Sequence, residues 1–149
     1  NPTTPISVPY MPGNYDWLYN SSSNLTDNTR WTDSNSPKSI YDPCPAGWRV
    51  PDGGLDGIWA RAGFNDAVFD DTNKGVSFSI ASPSVTWYPA SGIRNFRDCS
   101  LGYVGVEGNY WSASPCDIRA HVLRFDLSHC SPSDDEFRAV ALSVRCAKE

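Results

Sequence analysis

A chain of 149 residues holds one ordinary domain with a core and is too short for two. A net charge of -5, from 12 basic and 17 acidic residues, argues against sequence-independent binding to phosphate backbones. Charged residues are only 19% and no apolar run approaches the roughly 18 residues of a membrane helix, so a nucleic-acid binder, a membrane span and a coiled coil are all disfavoured.

In chain order, residues 1–12 carry four prolines with little periodicity and read as an extended lead-in. Nothing at Asn1 looks like a signal peptide, and the start reads as a mature or trimmed end. Residues 20–37 are dense in Ser, Asn, Asp and Thr, with Trp31 as the only large apolar anchor. The expected organisation is therefore an irregular lead-in, 1–39, packed on a domain spanning 40–149. The spacing of Leu55, Ile58, Trp59 and Ala62 predicts a short helix over 54–63, with Gly63 placed to cap its C-terminus.

Strand patterns follow. Val76, Phe78 and Ile80 alternate with small or polar residues, and 85–88 is a second β-prone run. His121, Leu123, Phe125 and Leu127 alternate in the same way, as do Val140, Leu142, Val144 and Cys146. The polar stretch 128–138 between them predicts a hairpin with a long tip. Twelve Pro, eleven Gly, no Gln and three Lys suit turns and short strands. The class expected is α+β, with short helices, small antiparallel sheets and much irregular structure.

Little in the chain points to catalysis. His121 and His129 lie near Cys116, Cys130, Asp117 and Asp126, but the spacing matches no structural zinc pattern, and they read as surface histidines. The acidic clusters at 52–56, 70–71 and 134–136 do not reproduce a calcium loop and read as solvated turns. Gly102, Gly105 and Gly108 precede neither a lysine nor a long helix, so no phosphate loop is indicated. No catalytic residue, metal or cofactor is expected. Five cysteines, Cys44, Cys99, Cys116, Cys130 and Cys146, leave at least one thiol unpaired or paired between chains, and none form a CxxC. A Lys-poor, Ser/Asn-rich composition suggests an exported protein in which a disulfide persists.

Two longer segments and a shorter third carry a resemblance. Asp42-Pro43-Cys44-Pro45-Ala46-Gly47-Trp48-Arg49-Val50-Pro51, Gly108-Asn109-Tyr110-Trp111-Ser112-Ala113-Ser114 and Leu142-Ser143-Val144-Arg145-Cys146 resemble the Fibrobacter-type major paralogous domain. That family is common in surface and fimbrial-tip proteins of gut bacteria. Ala62-Gly63-Phe64 and the Ala120, Leu123, Phe125 pattern fall in matching order, and the resemblance covers residues 40–146. It implies a C-type-lectin-like fold and a meeting of Cys44 with Cys146. If oxidised, that pair closes a loop of about 100 residues, worth on the order of 4–5 kcal/mol in the chain-entropy model. The prolines at 43, 45 and 51 read as stiffeners, and Trp48, Tyr110 and Trp111 as buried scaffold.

Within this fold, some proteins resemble the variable products of diversity-generating retroelements in Bacteroidetes-like bacteria. Residues 95–106 and 116–140 mix charged, aromatic, aliphatic and thiol side chains without period, which that origin would explain. It would also account for Cys99, Cys116 and Cys130 as products of codon sampling. Ordinary irregular loops would carry the same mixture, and in both cases long loops are where binding sites sit. The candidate ligand-binding residues are Asn95, Phe96, Arg97, Asp98, Leu101, Tyr103 and Val106 in the first stretch. In the second they are Asp117, Ile118, Arg119, His121, Arg124, Asp126, His129, Asp134, Asp135 and Phe137. Arg94, Arg97, Arg119 and Arg124, with Phe96, Tyr103 and Phe137, are the anchor types of protein interfaces.

The function implied is a non-enzymatic, surface-displayed adhesin or receptor-like module, lipid-anchored or at a fimbrial tip. Its partner would be a protein or glycan on another cell or surface. The alternative is a carbohydrate-binding fimbrial-tip adhesin in which Trp87, Tyr88 and Trp111 stack on sugars. The calcium-dependent sugar motifs of true C-type lectins are absent, so the fold alone implies no sugar binding. The same broad fold also houses a copper-dependent oxidase of cysteine residues, for which this chain offers no metal–thiol arrangement.

Overall fold

A computed structural model describes residues 28, 30–81 and 84–149. In chain order its strands are β1 Trp48–Arg49, β2 Phe69–Asp70, β3 Gly75–Ala81, β4 Ser84–Pro89 and β5 Ile93–Arg94. They continue as β6 Leu101–Gly102, β7 Gly108–Cys116, β8 Arg119–Phe125, β9 Cys130–Phe137 and β10 Ala147–Lys148. A four-residue helix, α1 (Ile58–Arg61), and a 3₁₀ turn, Phe64–Asp66, lie between β1 and β2. All strand pairings are antiparallel: β1 with β10, β2-β3-β4, β5 with β6, and β7-β8-β9. The class is thus broadly α+β, weighted towards strand and irregular chain.

The segment from Asp42 to Pro51 folds around one buried carboxylate. Asp42 accepts the N–H of Cys44 at 2.8 Å through one oxygen and that of Val50 at 3.0 Å through the other, and pairs with Lys38 at 3.5 Å. A charge buried this way is tolerable because each oxygen keeps a donor. Cys44 is bonded to Cys146, 102 positions away in sequence, which ties this block to the C-terminal strand region. Val50 and Ala113 pack with Cys44, and Trp31, Val144 and Cys146 cover them. Trp31 also donates its indole N–H to the Tyr41 carbonyl at 3.1 Å, so the lead-in from residue 30 lies on the domain. The expectation for residues 1–27 lies outside the described residues.

The main core is aromatic. Trp59, Phe64, Val76, Tyr88, Ala90, Tyr110, Leu123 and Phe125 are buried together, and each large side chain so placed contributes about 1.5–3 kcal/mol. Tyr88 meets Phe64 and Tyr110 edge-on at 5.6 and 5.3 Å, and Tyr110 stacks on Phe125 at 6.1 Å. The buried polar tips find partners: Trp59 donates to the Tyr88 hydroxyl at 3.2 Å, and Tyr110 to the Pro89 carbonyl at 2.7 Å. Gly108 is required by this packing, because a Cβ there would sit 2.0 Å from the Phe125 ring.

Three sequence expectations need correction. The helix is shorter than 54–63, because Gly54 is left-handed (φ +80°) and Gly57 bonds back to it as a turn, leaving Leu55 exposed. Gly63 is left-handed too (φ +80°), as a residue just past a helix end should be. The partner of β8 is not 139–146 but β9, formed from the stretch expected to be a loop tip. Residues 138–140 instead make a turn, with the Val140 N–H on the Phe137 carbonyl at 3.0 Å, and 141–146 carry isolated bridges from Ala141 to Arg94 and from Ser143 to Tyr110. Trp48 is half-exposed, because strand alternation in β1 turns its neighbour Arg49 inwards.

Candidate binding face

The stretch 95–106 forms a short hairpin and a turn. β5 and β6 pair, and the tip between them closes with Asn95 N–H to Ser100 carbonyl and Cys99 N–H to Asn95 carbonyl, both 2.9 Å. Asn95 and Asp98 brace this tip. The Asn95 side-chain oxygen accepts the Arg97 N–H at 2.8 Å, while Asp98 accepts the Ser100 N–H and hydroxyl at 3.0 and 2.7 Å. Those Ser100 bonds hold the Asp98 carboxyl below its ordinary value. Arg94 adds a bond to the Cys99 carbonyl at 2.6 Å. Beyond the tip, Leu101, Tyr103, Val104 and Val106 are 63%, 56%, 60% and 56% exposed. Sequence reasoning missed Val104; the available signal was an aliphatic residue in a turn flanked by Gly102 and Gly105.

The second stretch is sheet, not loop. Asp117 and Ile118 make the β7–β8 turn; Arg119, His121 and Arg124 sit on β8; Asp134, Asp135 and Phe137 sit on β9. One cluster joins the two stretches. The Arg119 guanidinium lies 4.1 Å over the Phe137 ring and pairs with Asp135 at 2.9 Å. Phe96 meets Phe137 edge-on at 6.4 Å, and Arg97 lies 5.4 Å from the Phe96 ring. Alternating arginine and aromatic planes of this kind are rigid and amphipathic, the properties that make such residues interface anchors.

Other candidates have different neighbours. Arg124 bonds Asp134 at 3.1 Å, Glu136 at 2.8 Å and the buried Asn109 amide oxygen at 3.0 Å, so its charge is spent inside the fold. His121 packs against Gly54 and places Nδ1 3.3 Å from the Asp134 carbonyl. Asp126 and His129 form the β8–β9 turn, about 20 Å along the strand from the Arg119 end. Asp126 accepts the N–H of Ser128 at 2.7 Å and that of His129 at 2.8 Å, bonds that depress its carboxyl. The candidates thus divide into the Arg119–Phe137–Phe96 cluster with the exposed 101–106 turn, a structural Arg124 network, and a distant turn.

Cys99, Cys116 and Cys130 are not in disulfides. Burial, reinforced by Asp126, raises the Cys130 thiol above its ordinary value, and its Sγ donates to the Ala67 carbonyl, so it is not an activated nucleophile. Among the described residues no three His, Cys, Asp or Glu side chains converge as metal ligands would. No helix among them is long and apolar enough to cross a membrane. Of the three aromatics considered for sugar stacking, Tyr88 and Trp111 are buried, while Trp87 on β4 is half-buried. Compared with protein-family models, curated proteins and solved structures, the chain matches none.

Proposed function

We propose that this chain is a non-enzymatic binding module of the Fibrobacter-type major paralogous kind, with a C-type-lectin-like fold. It is exported, displayed at the cell surface or a fimbrial tip, and carries a binding face diversified by a retroelement. The carrying observation is the run of four exposed apolar side chains, Leu101, Tyr103, Val104 and Val106, in the stretch that also supplies the Phe96–Arg97 end of the arginine–aromatic cluster. Grouped exposure of apolar side chains beside arginine and aromatic anchors is the composition of a protein-contact surface. A protein partner is favoured over a glycan, since two of the three aromatics considered for sugar stacking, Tyr88 and Trp111, are withdrawn into the core and Trp87 is only half-exposed.

The test is a screen of the displayed domain against surface-protein libraries and against glycan arrays with and without calcium. Any partner found is then titrated with a variant carrying Leu101→Ser, Tyr103→Ser, Val104→Ser and Val106→Ser. Loss of binding with an unchanged urea midpoint supports the reading. Full binding by the variant, or glycan binding that needs calcium, refutes it. The encoding DNA tests diversification separately: a nearby imperfect repeat should differ from the gene only where the repeat has adenine.

A further inference from the structure

A second site lies away from this face, and its reading does not depend on the first. A cleft of about 510 Å³ opens between the 34–38 loop, α1 and the β1–β10 ribbon, and none of its lining comes from 93–106 or 116–137. That volume falls in the range of small-molecule sites, roughly 300–1,000 Å³. In a chain with net charge -5, the lining holds four cations, Lys38, Arg49, Arg61 and Lys148, against two carboxylates, Asp52 and Glu149.

The charges are not equally available. Asp52 is occupied by the N–H and hydroxyl of Ser34, and Lys38 by Asp42 and the carbonyls of Cys44 and Pro45. Arg61 and Lys148 are exposed and make no ion pair among the described residues. Arg49 is different again: its side chain is only 9% exposed and it donates to the Ser36 carbonyl, yet its Nε has no hydrogen-bond acceptor. Glu149 makes an ion pair with that nitrogen at 3.7 Å, too long for a hydrogen bond, and is itself 42% exposed. A buried guanidinium N–H without an acceptor is costly, and such groups call for an unaccounted partner. Pro37, Pro51 and Ile58 supply an apolar wall beside these donors.

We propose that this cleft binds an organic carboxylate carried on a ring of monosaccharide size, with Arg61 and Lys148 holding the anion over the Arg49 guanidinium. The apolar wall takes the face of the ring, and it is what separates this ligand from a bare inorganic anion. Glu149 shifts aside as the ligand's carboxylate takes its place.

The experiment is an amide-resolved NMR titration of the full chain with sodium glucuronate, with methyl glucoside, acetate and inorganic phosphate as separate arms. Glucuronate should move the amides of Ser36, Ala147 and Lys148, with saturation within about 20 mM, while methyl glucoside moves none of them. Arg61→Ala with Lys148→Ala should weaken the response at least about tenfold and leave the urea midpoint unchanged, since both side chains are exposed. The four-serine variant of the 101–106 turn should titrate like the native chain. The proposal is overturned if glucuronate moves nothing, if methyl glucoside acts equally, or if phosphate and acetate bind as well as glucuronate. It is also overturned if the double variant binds normally.

Discussion

Opening the Cys44–Cys146 bond should remove about 4–5 kcal/mol of stability. The bond spans 102 positions, and the chain-entropy relation for a loop of about 100 residues gives ~4.7 kcal/mol at 25 °C. Domains of this kind have only about 5–15 kcal/mol in total, so the reduced chain should be marginal. Two routes to the open state separate the causes. Reducing the native chain keeps both sulfurs in their cluster with Trp31, Val50, Ala113 and Val144, so only the constraint on the unfolded chain is lost. Cys44→Ala with Cys146→Ala also removes packed atoms and should cost about 1–2 kcal/mol more. Urea unfolding followed by tryptophan fluorescence, with and without reductant, gives both values. The slope m should rise on reduction, because an unlinked chain exposes more surface. A loss below about 1.5 kcal/mol on reduction, with the larger cost confined to the alanine variant, would refute the loop-closure argument in favour of packing.

Replacing Arg124 by Met should cost about 2–3 kcal/mol, because it strips the donor from the buried Asn109 oxygen and leaves Asp134 and Glu136 facing each other. Adding Asp134→Asn and Glu136→Gln should recover part of that loss in the same urea assay, and no recovery would mean the network is idle. Gly108→Ala should cost about 1–3 kcal/mol by driving a methyl into the Phe125 ring, whereas Gly102→Ala, with its nearest atom at 3.9 Å, should cost under about 0.5. Burial pushes the Tyr110 hydroxyl from its ordinary 10.0 up to about 12. A folded value above the unfolded one means stability is intact below pH 10 and is lost as pH rises through 12. The urea midpoint should therefore fall on the alkaline side, and the 295 nm titration of the native chain minus that of Tyr110→Phe should show one late-ionising phenol. Ionisation of Tyr110 near pH 10 would contradict its burial. At Tyr103, whose φ is +60°, glycine should be better tolerated than alanine by about 1 kcal/mol, the reverse of the usual order.

What the sequence revealed depended on whether one element settled its own structure. The β3 alternation and the glycine past the helix are local, and both appear at the expected positions. β9 was hidden because its residues, Cys130–Phe137, include Pro132 and three successive acids, all poor strand formers. They are tolerated on an edge strand: the proline lies where the β8–β9 register shifts, and Asp134 and Glu136 accept the N–H of the residue that follows each. The alternation in 139–146 was real but misleading. Ala139 and Val140 are both buried side by side, while Val144 and Cys146 cover the Cys44 cluster, so the apolar residues serve different neighbours in place of one ladder. The same limit applies to the candidate face. Arginines at 119 and 124 look alike in sequence, yet register gives one an aromatic ring and the other two carboxylates and a buried amide.

Backbone conformation bears on which of these side chains the proposed binding face would use. Among the described residues, four that are not glycine have positive φ: Lys74, Cys99, Tyr103 and Asp117. Three of them lie in the two candidate stretches. A left-handed non-glycine residue costs roughly 1–2 kcal/mol, and a bulky aromatic is among the least suited to it. At Tyr103 the fold recovers little of that cost, because the ring is more than half exposed and only the main chain takes part in the turn, through bonds from Val106 and Glu107 to its carbonyl. Glycine would serve the turn better, which supports the proposed role of the ring as a contact residue. Arg124 shows the opposite balance: its side chain is committed to the scaffold, and variation there would cost stability. A face able to change its residues while its fold persists would therefore vary at positions such as 101, 103, 104 and 106 and hold 124, 134 and 136 fixed.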